Sequence, residues 1–118
     1  MSEIKRIRVN NRFSEAVVHG GIVYISGQVD LSAARTARQQ TKNVLALIDE
    51  LLAEAGTDKS RLLRAFVYLA NIGDLQDMNK EWEAWVIPGS TPARTVAQCE
   101  LSSPAFLVQV SAEAALKD

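Results

Sequence analysis

The sequence predicts an α+β fold: one β-sheet with two helices packed on one of its faces. Three observations predict it. Branched and aromatic residues crowd the segments 14–29 and 62–70, which suits strands. Apolar residues recur at helical spacing over 32–56. Along the chain the elements run β-β-β-α-β-α-β-β, a mixture without the strict βαβ alternation of a parallel fold. The 118 residues suit a single domain, 1–118, large enough to bury roughly two thirds of its surface on folding.

Each element has its own signal. Lys5, Arg6, Arg8 and Arg12 read as a solvated first strand rather than a nucleic-acid patch. SEAVVHGGIVYISGQV, residues 14–29, reads as two strands around a tight turn at Gly20-Gly21. In the first helix Val44, Ile48, Leu51, Leu52 and Ala55 form one stripe. Asp30 or Ser32 is expected to cap its start and Gly56 to stop it. LLRAFVYLA, residues 62–70, is the next strand. A second helix runs from about Asp74 to Val86 with Met78, Trp82 and Trp85 on one face, and Pro88 and Gly89 end it. A strand over 94–101, a turn at Ser102–Ala105 and the strand FLVQVSAEAAL complete the chain.

The segment 62–70 is apolar on both faces, Ala65, Val67 and Leu69 on one and Phe66, Tyr68 and Ala70 on the other. Two helices cover only one face of such a sheet. The other needs a cover, and a further copy of the chain is the simplest one. A homo-oligomer is therefore expected.

Composition excludes several classes. Hydrophobic residues make up 47% and charged residues 23%, with a net charge of −1 and a pI near 5.8. A protein bound to phosphate backbones needs a concentrated basic surface, so no nucleic-acid partner is expected. No segment reaches the ~20 apolar residues of a membrane span, so no membrane partner is expected either. MSEIKRIRVNN lacks the apolar run of a secretory signal, which points to the cytoplasm. The single cysteine, Cys99, leaves no internal disulfide and reads as a small hydrophobe within a strand. With His19 as the one histidine, no metal cluster is formed.

Chemistry concentrates at TPARTVAQCEL, residues 91–101, where Arg94 stands at the mouth of an apolar strand. A buried guanidinium requires a partner. Its planar fork matches a carboxylate or phosphate in bidentate fashion. The partner is either a ligand or a protein acid, with Glu100, Glu113 or an acid across an interface as options. In SGQ, residues 26–28, Gly27 lets a ligand approach the backbone closely beside the Ser26 hydroxyl. Asn79 opens NKEWEAW on the second helix, where Trp82 and Trp85 read as core or interface rather than as a stacking platform. Gln109 lies among apolar residues and needs hydrogen-bond partners. No Gly-rich phosphate loop and no Ser-His-Asp order are present.

SGQ after the hairpin, N-K-x-W-x-A-W on the second helix, and TPARTV followed by FLVQVSAEA together resemble the RidA/YjgF family. These are the reactive intermediate deaminases, also known by the older name "endoribonuclease L-PSP". RFSEAVVHGG, TDKSRLL and MNKEWEAWV are similar to the YoaB-like branch. The resemblance spans residues 4–116 and implies a chorismate-mutase-like fold assembled as a homotrimer, with sites at the subunit clefts. It implies hydrolysis of 2-imino and 2-enamino acids to 2-keto acids and ammonia, without metal or organic cofactor. Arg94 matches the arginine that binds the substrate carboxylate. Ser26, Gly27 and Asn79 match further site positions. Phe13 stands where RidA has a tyrosine, Val96 where it has a cysteine, and Gln109 where it has the glutamate associated with the hydrolytic water. An amide cannot accept a proton from attacking water as a carboxylate can. The alternative reading is therefore a non-catalytic binder of small carboxylates such as 2-keto acids in the same clefts. Ribonuclease activity rests on the older family name alone.

Overall fold

The computed structural model describes residues 3–32 and 34–117. Its elements are β1 Lys5–Val9, β2 Ser14–His19, β3 Ile22–Gln28, α1 Ala37–Ala55, β4 Leu62–Leu69, α2 Leu75–Trp85, β5 Ala93–Gln98 and β6 Val108–Ala115. The expected α+β order holds. The six strands form one sheet in the order β1-β2-β3-β6-β4-β5, antiparallel except for the β4–β5 pair, which the α2 crossover makes parallel.

Hairpin β2–β3 turns on Gly20 (φ 61°) and Gly21 (φ 82°), a left-handed pair that glycine adopts without a Cβ clash. This two-residue turn sets the register His19↔Ile22 through Ala16↔Ile25. Register decides which side chains face the helices.

The helix-facing layer is the core. Ala65, Val67 and Leu69 of β4, Val108, Val110, Ala112 and Ala114 of β6, and Val23 and Ile25 of β3 are buried. The α1 stripe of Val44, Ile48, Leu51, Leu52 and Ala55 packs on them, and Met78 and Trp82 of α2 extend the layer. Among the described residues no helix lies over the opposite face. Along β6 buried and half-buried residues alternate without a break. Phe66 and Tyr68 are half-buried there, and Tyr24 is 44% exposed.

Four local expectations are corrected. The start of α1 is capped by Thr36, whose side chain accepts from the Gln39 N–H. Asp30 and Ser32 lie in the loop before it. There Asp30 Oδ1 accepts from the Ser32 N–H (3.0 Å) and hydroxyl (2.7 Å), a local turn that competes with helix capping. The stop at Gly56 (φ 93°) is as expected, its N–H reaching the Leu52 and Ala53 carbonyls. Strand β5 ends at Gln98, so Cys99 is exposed past its end rather than packed within it. Because β5 pairs on one side only, Arg94 is exposed rather than buried. Strand β6 begins at Val108 because buried Gln40 clamps the preceding loop. Its Oε1 accepts from Leu107 N–H (2.8 Å) and its Nε2 donates to Ala34 and Ala105 carbonyls. No helix among the described residues is long and apolar enough to cross a membrane.

Asp30 gives the loop a pH signature. Burial, the largest single influence, pushes its carboxyl up. The hydrogen bonds from the Ser32 hydroxyl, the Asn43 amide (3.0 Å) and the N–H groups of Ser32 and Ala34 outweigh it and hold the group below its ordinary value. A depressed carboxylate stabilises the fold above its unfolded pKa and loses that contribution as pH falls through the folded one. Urea unfolding at neutral pH is expected to show Asp30→Ala less stable than wild type by about 1–3 kcal/mol. The gap narrows as the pH drops below about 4.

Candidate functional site

Arg94 pairs with Ala65 in the β5–β4 register. Ala65 is buried on the helix side, so strand alternation places Arg94 on that same side, at the sheet edge. Here α2 receives it. Arg94 Nη1 donates to Asn79 Oδ1 at 2.8 Å, and its Cζ lies 5.2 Å from the centre of the Trp82 ring. The indole is anchored, with Trp82 only 6% exposed. A guanidinium over an indole face is attracted by the ring quadrupole. Asn79, Trp82, Glu83, Val86, Thr91 and Arg94 line an open surface cavity of about 290 Å³.

Neither Glu100 nor Glu113 takes the guanidinium. Glu113 stands between Tyr24 and Arg64 in the sheet register, on the open face. Glu100 lies beyond the end of β5. Among the described residues no ion pair involves Arg94. Of its five N–H donors, one is engaged by Asn79 and the fork remains available for an anion.

A second polar cluster occupies the open face. A bulge between Ile25 and Gln28 breaks the β3–β6 register at SGQ. A Cβ added to Gly27 would meet the Gln109 side-chain amide, so a larger residue here would push that amide aside. Gln109 pairs with Tyr68 and shares its face. Ser26 Oγ donates to Glu15 Oε1 at 3.2 Å, and Gln28 Nε2 donates to the same oxygen at 3.1 Å. Phe13, 50% exposed, sits two residues before Glu15, held by Asn10 Oδ1 accepting from its N–H at 3.1 Å.

The expected site residues thus form two groups. Arg94 and Asn79 meet on the helix side, with Val96 half-buried on the same face, opposite Val67. Ser26, Gly27 and Gln109 meet on the open face. Sequence reasoning missed two features. Trp82 is both a core residue and the platform for Arg94. Glu15, opposite Ser26, was legible by counting back from the Gly20-Gly21 turn. Trp85 belongs to the framework, its Nε1 donating to Asp49 of α1 at 3.0 Å. Among the described residues no group of His, Cys, Asp and Glu could hold a metal ion. The larger cavity, about 600 Å³ near Cys99 and Phe106, contains none of the expected site residues.

Trp82 fixes the guanidinium without occupying its fork. Trp82→Leu is expected to lower stability in urea unfolding by about 1–3 kcal/mol, because Trp82 is buried beneath the guanidinium, and Trp82→Phe, which keeps a ring face, by less.

The family model for endoribonuclease L-PSP matches residues 3–116. A RutC family protein of Haemophilus ducreyi is 45% identical over 113 residues, 96% of this chain and 97% of the relative. The RutC family protein YoaB of Escherichia coli is 38% identical over 113 residues, 96% and 98% of the two chains. The crystal structure of a YjgF-family member from Neisseria meningitidis superposes with a TM-score of 0.96 at 40% identity, covering 98% of this chain and 97% of the other. With its strand order, its two helices and its sequence all shared with these relatives, the chain belongs to the endoribonuclease L-PSP (RutC/YjgF) family.

Proposed function

We propose that this protein is a hydrolytic deaminase that converts reactive 2-imino and 2-enamino acids to 2-keto acids and ammonia. It acts as a homotrimer in the cytoplasm, with the sites in the clefts between subunits. One observation carries the reading. The Arg94 guanidinium is held by Asn79 and Trp82, and no carboxylate among the described residues pairs with its fork. A held, unpaired arginine is a receptor for an anion, and the substrate carboxylate fills that role. Asn79, which the resemblance places among the site positions, acts here by fixing the arginine.

Subunit assembly supplies what one chain leaves apart. Arg94 and Gln109 point to opposite faces of the sheet, so a neighbouring copy on the open face brings the second cluster to the first. Backbone at Ser26 and Gly27 contacts the substrate, Phe13 and Val96 line the cleft, and Gln109 orients the attacking water. Water adds to the C=N carbon, and the resulting carbinolamine collapses with loss of ammonia. Imines are intrinsically reactive, so fixing the carboxylate and the water contributes rate by orientation. The exposed free thiol of Cys99 suits a reducing compartment.

One observation favours the second reading, a non-catalytic binder of 2-keto acids: Gln109 is an amide and accepts no proton.

The test follows decay of 2-iminopropionate, generated by an amino-acid oxidase and trapped competitively with semicarbazide. Wild type is expected to cut semicarbazone formation, and Arg94→Ala to cut it at least about 10-fold less, the loss expected for a charge-assisted contact. Equal trapping with and without wild type, alongside Arg94-dependent pyruvate binding, would favour the binder.

A further inference from the structure

We propose that Glu15 is the catalytic carboxylate of this site, taking over the proton transfers for which Gln109 lacks a group. The inference rests on the deaminase reading above and names the base that the reading left open.

Four observations converge on Glu15. It lies on β2 and faces β3 at Ser26, next to the bulge that exposes the Gly27 backbone. Its Oε1 accepts from Ser26 Oγ at 3.2 Å and from Gln28 Nε2 at 3.1 Å. Gln28 is only 7% exposed and also donates to the Ser26 carbonyl at 3.1 Å, so the network is a fixed one. Gln109 packs against Gly27 from the other side. The carboxylate and the amide therefore flank the same short stretch of backbone. Both hydrogen bonds fall on Oε1, and among the described residues none falls on Oε2. Glu15 is half-buried and makes no ion pair among the described residues. A fixed carboxylate without a cation beside it is suited to exchange protons.

The chemistry balances with water as the sole co-reactant. The substrate is the iminium form of the 2-imino acid, its carboxylate on Arg94. Glu15 takes a proton from water as the water oxygen bonds to C2, and the C=N π pair moves to nitrogen. The protonated Glu15 then delivers that proton to the amino nitrogen. Glu15 next removes the hydroxyl proton as the C=O bond forms and the C–N bond breaks. The departing ammonia collects this proton as ammonium, and the carboxylate is regenerated. Gln109 holds the water through its amide, and Ser26 keeps Glu15 oriented.

The test compares wild type, Glu15→Gln, Arg94→Ala and the exchange variant E15Q/Q109E. Imine clearance is read as kcat and KM, and pyruvate affinity is read by calorimetry. Thermal unfolding checks that each variant is folded. Loss of a general acid–base group lowers rates by about 10²–10⁴-fold. Glu15→Gln is expected to lose kcat by about 10²-fold with pyruvate affinity retained, and the exchange variant to regain at least a tenth of the wild-type kcat. The split between kcat and binding, and the rescue by a carboxylate at 109, are responses that a merely structural Glu15 would not give. Glu15→Gln retaining wild-type kcat while Arg94→Ala loses activity would overturn the assignment of Glu15 and leave the deaminase reading standing. Wild type without imine clearance would overturn both.

Discussion

Two helices cover one face of a six-stranded sheet, and strand alternation sends every second side chain to the face they leave open. The rest of the molecule follows from that constraint. On the covered face alternation builds a core of Val, Leu, Ile and Ala around Met78 and Trp82. On the open face it places Tyr24, Phe66, Tyr68, Ser111 and Gln109 in one layer. Edge strand β5 straddles the boundary. Its even-numbered residues, Arg94 and Val96, turn towards the helices, and Thr95 and Ala97 turn away. The Arg94–Asn79 pair and the cluster of Glu15, Ser26 and Gln109 consequently sit on opposite faces of one chain. Each is polar and held by hydrogen bonds, and the proposed deaminase needs both.

Order within the two clusters comes from different sources. Arg94 is mobile in principle, being long and exposed, and α2 removes that freedom with a hydrogen bond and an aromatic face. The same helix residue, Trp82, is a core anchor below and a cation platform above, so the stability of the helix layer is coupled to the geometry of the Arg94 guanidinium. The open-face cluster is fixed by backbone instead. The bulge in β3 turns SGQ out of register, the missing Cβ of Gly27 makes room for the Gln109 amide, and the hairpin turn sets Glu15 against Ser26. Substitution at Gly27 would displace the amide without touching Arg94.

The fold was readable because its signals are local and periodic: the α1 stripe, the Gly20-Gly21 turn and the β-rich runs each specify their element. Misplaced boundaries have one local cause and one distant one. Asp30 makes its own turn, which residue type alone does not distinguish from a helix cap. Gln40 clamps the loop before β6 from a distance of more than sixty residues along the chain, a contact no periodicity encodes. The chemistry of Arg94 was readable as a residue type and a resemblance. Its exposure was not, because a strand's edge position depends on sheet order. Glu15 was within reach of the hairpin count, yet on sequence alone a glutamate in a β-hairpin is indistinguishable from a solvated face marker.

The proposed deaminase divides its site between the two faces of the sheet and needs a second copy to close it, which mixing defective subunits tests. Arg94→Ala chains carry an intact open face, and chains with Glu15→Gln and Gln109→Ala carry an intact receptor. Co-refolded together, they form some clefts in which both halves are wild type. The account predicts that the mixture clears 2-iminopropionate faster than the average of its two parents. A mixture no more active than that average would place both clusters in separate sites and contradict the account.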